Sequence, residues 1–306
     1  MHGVLNVLKP PGPTSHDIVD QARRALKTKR IGHTGTLDPA ACGVLPLCVG
    51  QATRLVEYLQ ATRKIYVAQA SFGLETDTLD LLGQVVARSD ASHVDEAALS
   101  LALARFRGEI MQVPPLFSAL KREGKPLHEL ARAGETVEIP ARPATIFALE
   151  CKYLEREQGE LKAMLAVECS AGTYIRSLVR DIGRALGTHA TMSFLVRTAA
   201  GRFSIQNAVP PAAMDEALLV PLGEALRWCV VREVESQSLA QMLARGQKIN
   251  LDAGEVRAQG SHQRVLVRDA GLEIAALAVP AEAGASAQNG GLFRAEKVFL
   301  GASSLA

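Results

Sequence analysis

Helix-length and strand-length apolar patterns intermingle along this chain, without the regular strand–helix–strand repeat that a parallel sheet requires. The strongest helical signal covers residues 173–187. There Ile175, Leu178, Val179, Ile182 and Leu186 recur at three- and four-residue spacing, and Gly187 ends the run. Strand-like runs lie on both sides of it. Residues 65–72 put Tyr66, Ala68, Ala70 and Phe72 on one face. Residues 145–153 and 161–169 read as a pair turning at Gln158-Gly159, and 192–196 as a further strand. Shorter strands are predicted at 3–8, 44–49 and 84–87. Helices are predicted after a cap at Ser15 or Asp17, at 52–59 and at 95–106. The mixture predicts an α+β fold: a mixed or antiparallel central sheet flanked by helices.

Two regions break this texture. Residues 111–145 carry Pro, Gly and basic residues with little period, and are predicted to form a long loop with a short helix at 127–133. After residue 234, a helix at 239–245 is followed by glycine-separated strands at 265–268, 272–279 and 297–300, with a mobile Ala/Ser/Gly tract at 283–291. With 306 residues there is room for a larger domain, 1–232, and a small β-rich one, 233–306.

A hydrophobic share of 48% and a charged share of 22% suit a soluble globular protein. The net charge of +2 is too small to announce a nucleic-acid partner. The basic residues are nonetheless grouped: Arg23, Arg24, Lys27, Lys29 and Arg30; Arg63-Lys64; Lys121, Arg122 and Lys125. Such groups either neutralise phosphates or coat solvated faces. The five cysteines, at 42, 48, 151, 169 and 229, form no Cys-x-x-Cys pair and no zinc-like spacing, so no metal is expected and a reducing cytoplasm is. No secretory leader pattern and no apolar run near the roughly 20 residues that span a bilayer are seen, so no membrane association is expected.

One segment carries candidate chemistry. Residues 32–43 place a single carboxylate, Asp38, in a loop punctuated by glycines at 32, 35 and 43, with His33 before it and Pro39 after it. Glycine permits tight turns, and the proline pushes Asp38 out of helical geometry. Residue types alone leave open whether Asp38 caps a turn or reacts. A carboxylate can serve as base, metal ligand or covalent nucleophile. The metal role lacks a second nearby carboxylate. A Ser-His-Asp hydrolase is disfavoured: Ser15-His16-Asp17 are adjacent rather than separated, and no Gly-x-Ser-x-Gly elbow exists.

Together with Lys9-Pro10, this segment resembles the first motif of the bacterial tRNA pseudouridine-55 synthases, the TruB family. The resemblance continues through Lys64-Ile65-Tyr66, Thr76-Asp77-Thr78-Leu79-Asp80, the run from Val113 to Lys121, and Gly172-Thr173-Tyr174-Ile175-Arg176. It implies a pseudouridine synthase fold with a PUA-like RNA-binding tail. It also implies isomerisation of the T-loop uridine of tRNA at position 55, in an extruded base, with no cofactor. Asp38 would be nucleophile or base, Tyr66 would stack on the uracil and aid proton transfer, and Arg176 would pair with and orient Asp38. Tyr174 and Leu195 would line the pocket, His33 would contact RNA, and Lys9 would support the loop or reach phosphate. Leu81-Leu82-Gly83 departs from the family pattern, which leaves Asp80 as a loop hydrogen-bonding residue without an assigned catalytic role. A monomer is expected. The alternative is a non-catalytic RNA-binding or RNA-folding protein, motivated by the basic groups and the small β-rich tail.

Overall fold

The computed structural model describes residues 1–118, 121–122, 125–126, 139–157, 159–230, 232–251, 264–271, 274–281 and 291–301. The chain opens with β1 (Gly3–Lys9), almost wholly buried, and turns into helix α1 (Ser15–Ala25). The cap of α1 is Thr14 rather than Ser15 or Asp17. Its hydroxyl accepts from the Asp17 backbone, and the Asp17 carboxylate accepts from the Thr14 backbone in return. Ser15 lies one step inside the helix, where its hydroxyl is engaged by a distant loop.

Next come β2 (Ile31–His33) and β3 (Cys42–Val49), a 3-10 turn at Gly50–Leu55, helix α2 (Val56–Gln60) and β4 (Lys64–Phe72). A small hairpin joins β5 (Leu74–Thr76) to β6 (Val85–Arg88). Helix α3 (Glu96–Ala104), capped by Asp95, leads to β7 (Gly108–Gln112). A minimal pair, β8 (Lys121–Arg122) and β9 (Lys125–Pro126), precedes the long strands β10 (Arg142–Glu157) and β11 (Glu160–Cys169). Helix α4 (Ile175–Ala185) follows, then β12 (Ala190–Ala200), β13 (Phe203–Ser204) and β14 (Val220–Pro221).

These strands form a ten-stranded sheet in the order β14-β1-β3-β12-β4-β11-β10-β7, with β2 on β3 and β13 on β12. Its pairings are antiparallel except β3 with β12, which run parallel at Val196↔Cys42 and Arg197↔Gly43. The fold is therefore α+β with a mixed sheet. The face of β4 carrying Tyr66, Ala68, Ala70 and Phe72 is buried, against the apolar stripe Ile175, Leu178, Val179 and Ile182 of α4. The expected loop at 111–145 is interrupted by β7 and the start of β10. Their pairing was not legible because β7, Gly-Glu-Ile-Met-Gln, is an exposed edge strand with little apolar content. The helix expected at 127–133 lies outside the described residues.

The tail adds helix α5 (Leu222–Arg227), β15 (Arg232–Glu235), helix α6 (Gln237–Ala244), β16 (Ile249–Leu251), β17 (Val265–Arg268), β18 (Ile274–Pro280) and β19 (Gly291–Leu300). A second, five-stranded sheet results, in the order β15-β17-β18-β19-β16. The tract expected to be mobile, 283–291, lies outside the described residues apart from Gly291. One apolar cluster joins both sheets: Val44, Ala52, Leu55 and Leu226 pack with Leu266, Leu277 and Phe299. Polar ties cross the same seam, from the Gln51 amide to the Leu300 carbonyl at 2.8 Å and from Lys297 Nζ to the Arg54 carbonyl at 2.6 Å. Among the described residues no helix is long and apolar enough to cross a membrane.

Candidate active site

The Asp38 loop is built from beneath by two buried cations. Lys9, at the end of β1, is fully buried, and its ammonium donates to the carbonyls of Pro10, Pro39 and Ala41 at 3.0, 3.2 and 2.6 Å. Arg197, on β12, donates to the carbonyls of Val44, Gly35 and Thr36 at 2.7, 3.0 and 3.4 Å. From α1, the Ser15 hydroxyl donates to the Leu37 carbonyl and accepts from the Leu37 amide, at 3.0 and 2.8 Å. Gly12 N–H bonds the Pro39 carbonyl at 2.8 Å. Gly43 is required here. Its φ of +112° suits glycine, and an added Cβ would sit 2.2 Å from the Arg197 carbonyl oxygen.

Asp38 itself projects into a cleft and meets Arg176, the second residue of α4. The guanidinium grips it as a fork, Nη2 to Oδ1 at 3.0 Å and Nε to Oδ2 at 2.9 Å. The side chain of Arg176 is 6% exposed, whereas a third of the Asp38 side chain, 33%, stays open to the cleft. The remaining donors of Arg176 go to the Thr78 and Phe117 carbonyls, at 2.8 and 2.9 Å. The start of α4 is itself clamped. The Gln112 side chain donates to the Tyr174 carbonyl and accepts from the Tyr174 amide, at 3.0 and 2.8 Å, and the Ser177 hydroxyl donates to the Val113 carbonyl at 2.8 Å.

Burial in the cleft wall pushes the Asp38 carboxyl above its ordinary value. The Arg176 guanidinium opposes that rise, and the negative charge of Asp80 adds to it. Asp80 is the second carboxylate of the site: buried, bonded by the Thr78 hydroxyl and the Leu82 amide, and 3.6 Å from Arg176 Nη1.

The cleft, about 300 Å³, is lined by Asp38, Tyr66, Tyr174, Arg176 and Leu195 together with Lys64, Arg197 and the loop residues 34–37. Five of the seven residues singled out in the sequence thus share one cavity, although they come from the Asp38 loop, β4, the start of α4 and β12. Burial raises the phenol pKa of Tyr66 and of Tyr174. The other two sit elsewhere. Lys9 lies under the loop with its ammonium committed to carbonyls, so the phosphate-reaching alternative does not hold, and burial lowers it to about 8. His33 ends β2, half-buried, with its Nδ1 accepting from the Gly35 amide at 3.3 Å. Burial and the nearby Arg197 lower its pKa from the ordinary imidazole value.

The basic pair Arg63-Lys64 is not a free phosphate clamp. Arg63 bonds Glu168 at 3.0 Å and stacks 3.8 Å over the Phe147 ring. Lys64 is buried, with its ammonium on the Gln60 and Thr62 carbonyls, and is lowered to about 8. Arg24, in the last turn of α1, and Lys27, Lys29 and Arg30, between α1 and β2, do remain exposed. Among the described residues, no three His, Cys, Asp or Glu side chains are grouped so as to hold a metal ion.

Residues 23–175 match the family described as TruB family pseudouridylate synthase (N terminal domain), and residues 176–235 the tRNA pseudouridylate synthase B C-terminal domain. The chain belongs to the TruB family of pseudouridylate synthases. A tRNA pseudouridine synthase B of Symbiobacterium thermophilum is 49% identical over 227 residues, covering 73% of this chain and 75% of that relative. The protein of the same name from Ralstonia pickettii is 41% identical and covers 97% of this chain and 94% of its own. Among solved structures, a Cbf5-Nop10-Gar1 complex contains a chain with a TM-score of 0.68 and 28% identity, covering 99% of this chain and 86% of that one.

Within this TruB-family cleft, sequence reasoning missed Arg197, Gln112 and the stapling role of Ser15; Asp80 is the loop hydrogen-bonding residue expected, and its approach to Arg176 is added by the structure. Arg197 carried a usable signal. In a strand, residues two apart share a face, so an arginine beyond inward-facing Leu195 is a charge pointed at the core.

Proposed function

We propose that this chain converts the T-loop uridine of tRNA, position 55, to pseudouridine, with Asp38 as the reactive group. The observation that carries the reading is the forked Arg176–Asp38 pair: one carboxylate, held by a buried arginine, with its outer edge open to a cleft walled by two tyrosines. The fork opposes the burial that disfavours the Asp38 charge and fixes the direction of its free lone pairs. A protein that only bound RNA would gain nothing from an anion held in a cavity built to take a phosphate-bearing nucleotide.

A uridine inside a folded T-loop reaches this cavity only when extruded, and the energy lost in unstacking has to be offset by contacts here. Tyr66 and Leu195 supply apolar surface for the two faces of the base, and Tyr174 closes the side. Asp38 acts on the ribose, by attack or by proton removal, to break the N1–C1′ bond. The freed uracil turns and rejoins through C5. A proton leaves C5 and one arrives at N1, so the product is an isomer and no redox partner is consumed. Tyr66 is the hydroxyl assigned to the C5 proton.

We further propose that 1–232 forms the catalytic domain and 233–306 a PUA-like RNA-binding one, and that the protein acts as a cytoplasmic monomer. His33 would lie against the RNA at the loop's rim. The test is incubation of purified protein with unmodified tRNA, followed by chemical probing and mass spectrometry of position 55. The reading predicts complete conversion by the wild type and none by Asp38→Ala. Absence of product with wild type, or undiminished product with Asp38→Ala, ends it.

A further inference from the structure

Arg197 is among the largest fully buried side chains, at 2% exposure. All its hydrogen bonds among the described residues go to backbone carbonyl oxygens. A buried guanidinium without a carboxylate partner is costly, and a leucine or methionine at the same inward position would pack the core. The cation therefore needs a reason beyond packing. Its setting supplies one. Arg197 stands directly across the β4–β12 ladder from Tyr66. Its guanidinium and that ring line the same cleft. Three bonds anchor it to Val44 of β3 and to Gly35 and Thr36 of the reactive loop.

We propose that Arg197 is a positioning residue for Tyr66, holding the strand that carries the ring against the Asp38 loop so that the phenol O–H meets the substrate. The same positive charge favours the phenolate formed whenever that proton leaves, against the burial that disfavours it. Because the fork also holds Gly35 and Thr36, the ring and the Asp38 loop keep one fixed separation. The inference rests on the functional reading above and names a second group that serves the same reaction.

The experiment is a double-mutant cycle under single-turnover conditions, with Arg197→Met, Arg197→Lys, Tyr66→Phe and the combined variants on unmodified tRNA. Arg197→Met is expected to lower the rate roughly 10- to 100-fold, within the range of a positioned proton-transfer group. tRNA affinity should stay unchanged, and Arg197→Lys should restore part of the rate. In the Tyr66→Phe background the same change should cost less than about threefold. In parallel, the ¹³Cζ resonance of Tyr66, identified by its loss in Tyr66→Phe, should shift in both Arg197 variants. Losses that multiply in the double variant, or a ¹³Cζ resonance that does not move, overturn the proposal. If Arg197→Met does not fold, Arg197→Lys decides by the same two readouts. If the wild type makes no pseudouridine, the functional reading falls, and the resonance still decides whether Arg197 controls Tyr66.

Discussion

Replacing Arg176 probes the grip on Asp38 most directly. The fork makes two bonds to the carboxylate, at 3.0 and 2.9 Å, and two more to the Thr78 and Phe117 carbonyls. Lysine can supply one bond to Asp38 and lacks the planar fork. Losing one charge-assisted bond of about 2 kcal/mol corresponds to a roughly 30-fold slower chemical step. Methionine removes the cation and leaves Asp38 and Asp80 facing each other unpaired. Breaking a buried pair costs about 3–5 kcal/mol. The outer edge of Asp38 is open to water, which screens it, so the lower end applies and the loss is at least roughly 100-fold. Release of tritium from uridine labelled at C5 in tRNA, at saturating enzyme, measures the step, and filter binding measures affinity separately. An Arg176→Lys variant within threefold of the wild type would falsify the orienting role. So would an Arg176→Met variant whose loss lies wholly in tRNA affinity.

Other perturbations follow from the same geometry. The Asp38 carboxyl titrates above its ordinary value, so single-turnover rates should fall as pH drops through that raised value; Arg176→Lys should move the acid limb further up, and an unshifted limb would contradict the pairing. Lys9→Met strips a donor from three carbonyls and should lower the melting temperature by several degrees at neutral pH, as calorimetry would show. Because the folded chain releases the Lys9 proton near pH 8 while the unfolded chain holds it to about 10.5, wild-type stability relative to Lys9→Met should rise with pH across that window in urea melts. Gly43→Ala should abolish soluble folded protein or cost more than about 3 kcal/mol, given a 2.2 Å clash with backbone and a positive φ. Changing Arg24, Lys27 and Lys29 to serine should weaken tRNA binding and reduce the slope of log affinity against log salt by roughly 2, with the single-turnover rate at saturation unchanged.

The sequence revealed the elements whose pattern is local. The apolar stripe of α4, the one-sided burial of β4 and the paired strands β10 and β11 all appear where periodicity placed them, because each buries one regular face. What escaped was set by partners far away in the chain. β2, β7, β15, β16 and α5 are short, and the edge strand β7 carries few apolar residues, so only the neighbour they pair with or pack on defines them. The same holds in the site. Asp38, Tyr66 and Arg176 were named through motif resemblance, and Arg176 through a stripe beside which it had to be either snorkelled or paired; the structure shows it paired. The roles of Ser15 on Leu37 and of Gln112 on Tyr174 span 22 and 62 residues, a separation that no local pattern reports. Arg63 and Lys64 illustrate the reverse error. At the entry to β4 the two face different surroundings: Lys64 became a buried helix-end cap and Arg63 a ring-stacked surface ion pair.

The apolar seam between the two sheets has a consequence for how a long RNA is held. Phe299, Leu277 and Leu266 are fully buried against Leu55 and Leu226, so the tail is welded to its neighbour rather than hung from a tether. A protein cut at residue 232 would bare that oily strip and clump before it could be assayed. The two sheets are accordingly offered to an RNA partner as one joined unit, with no hinge at the seam between them.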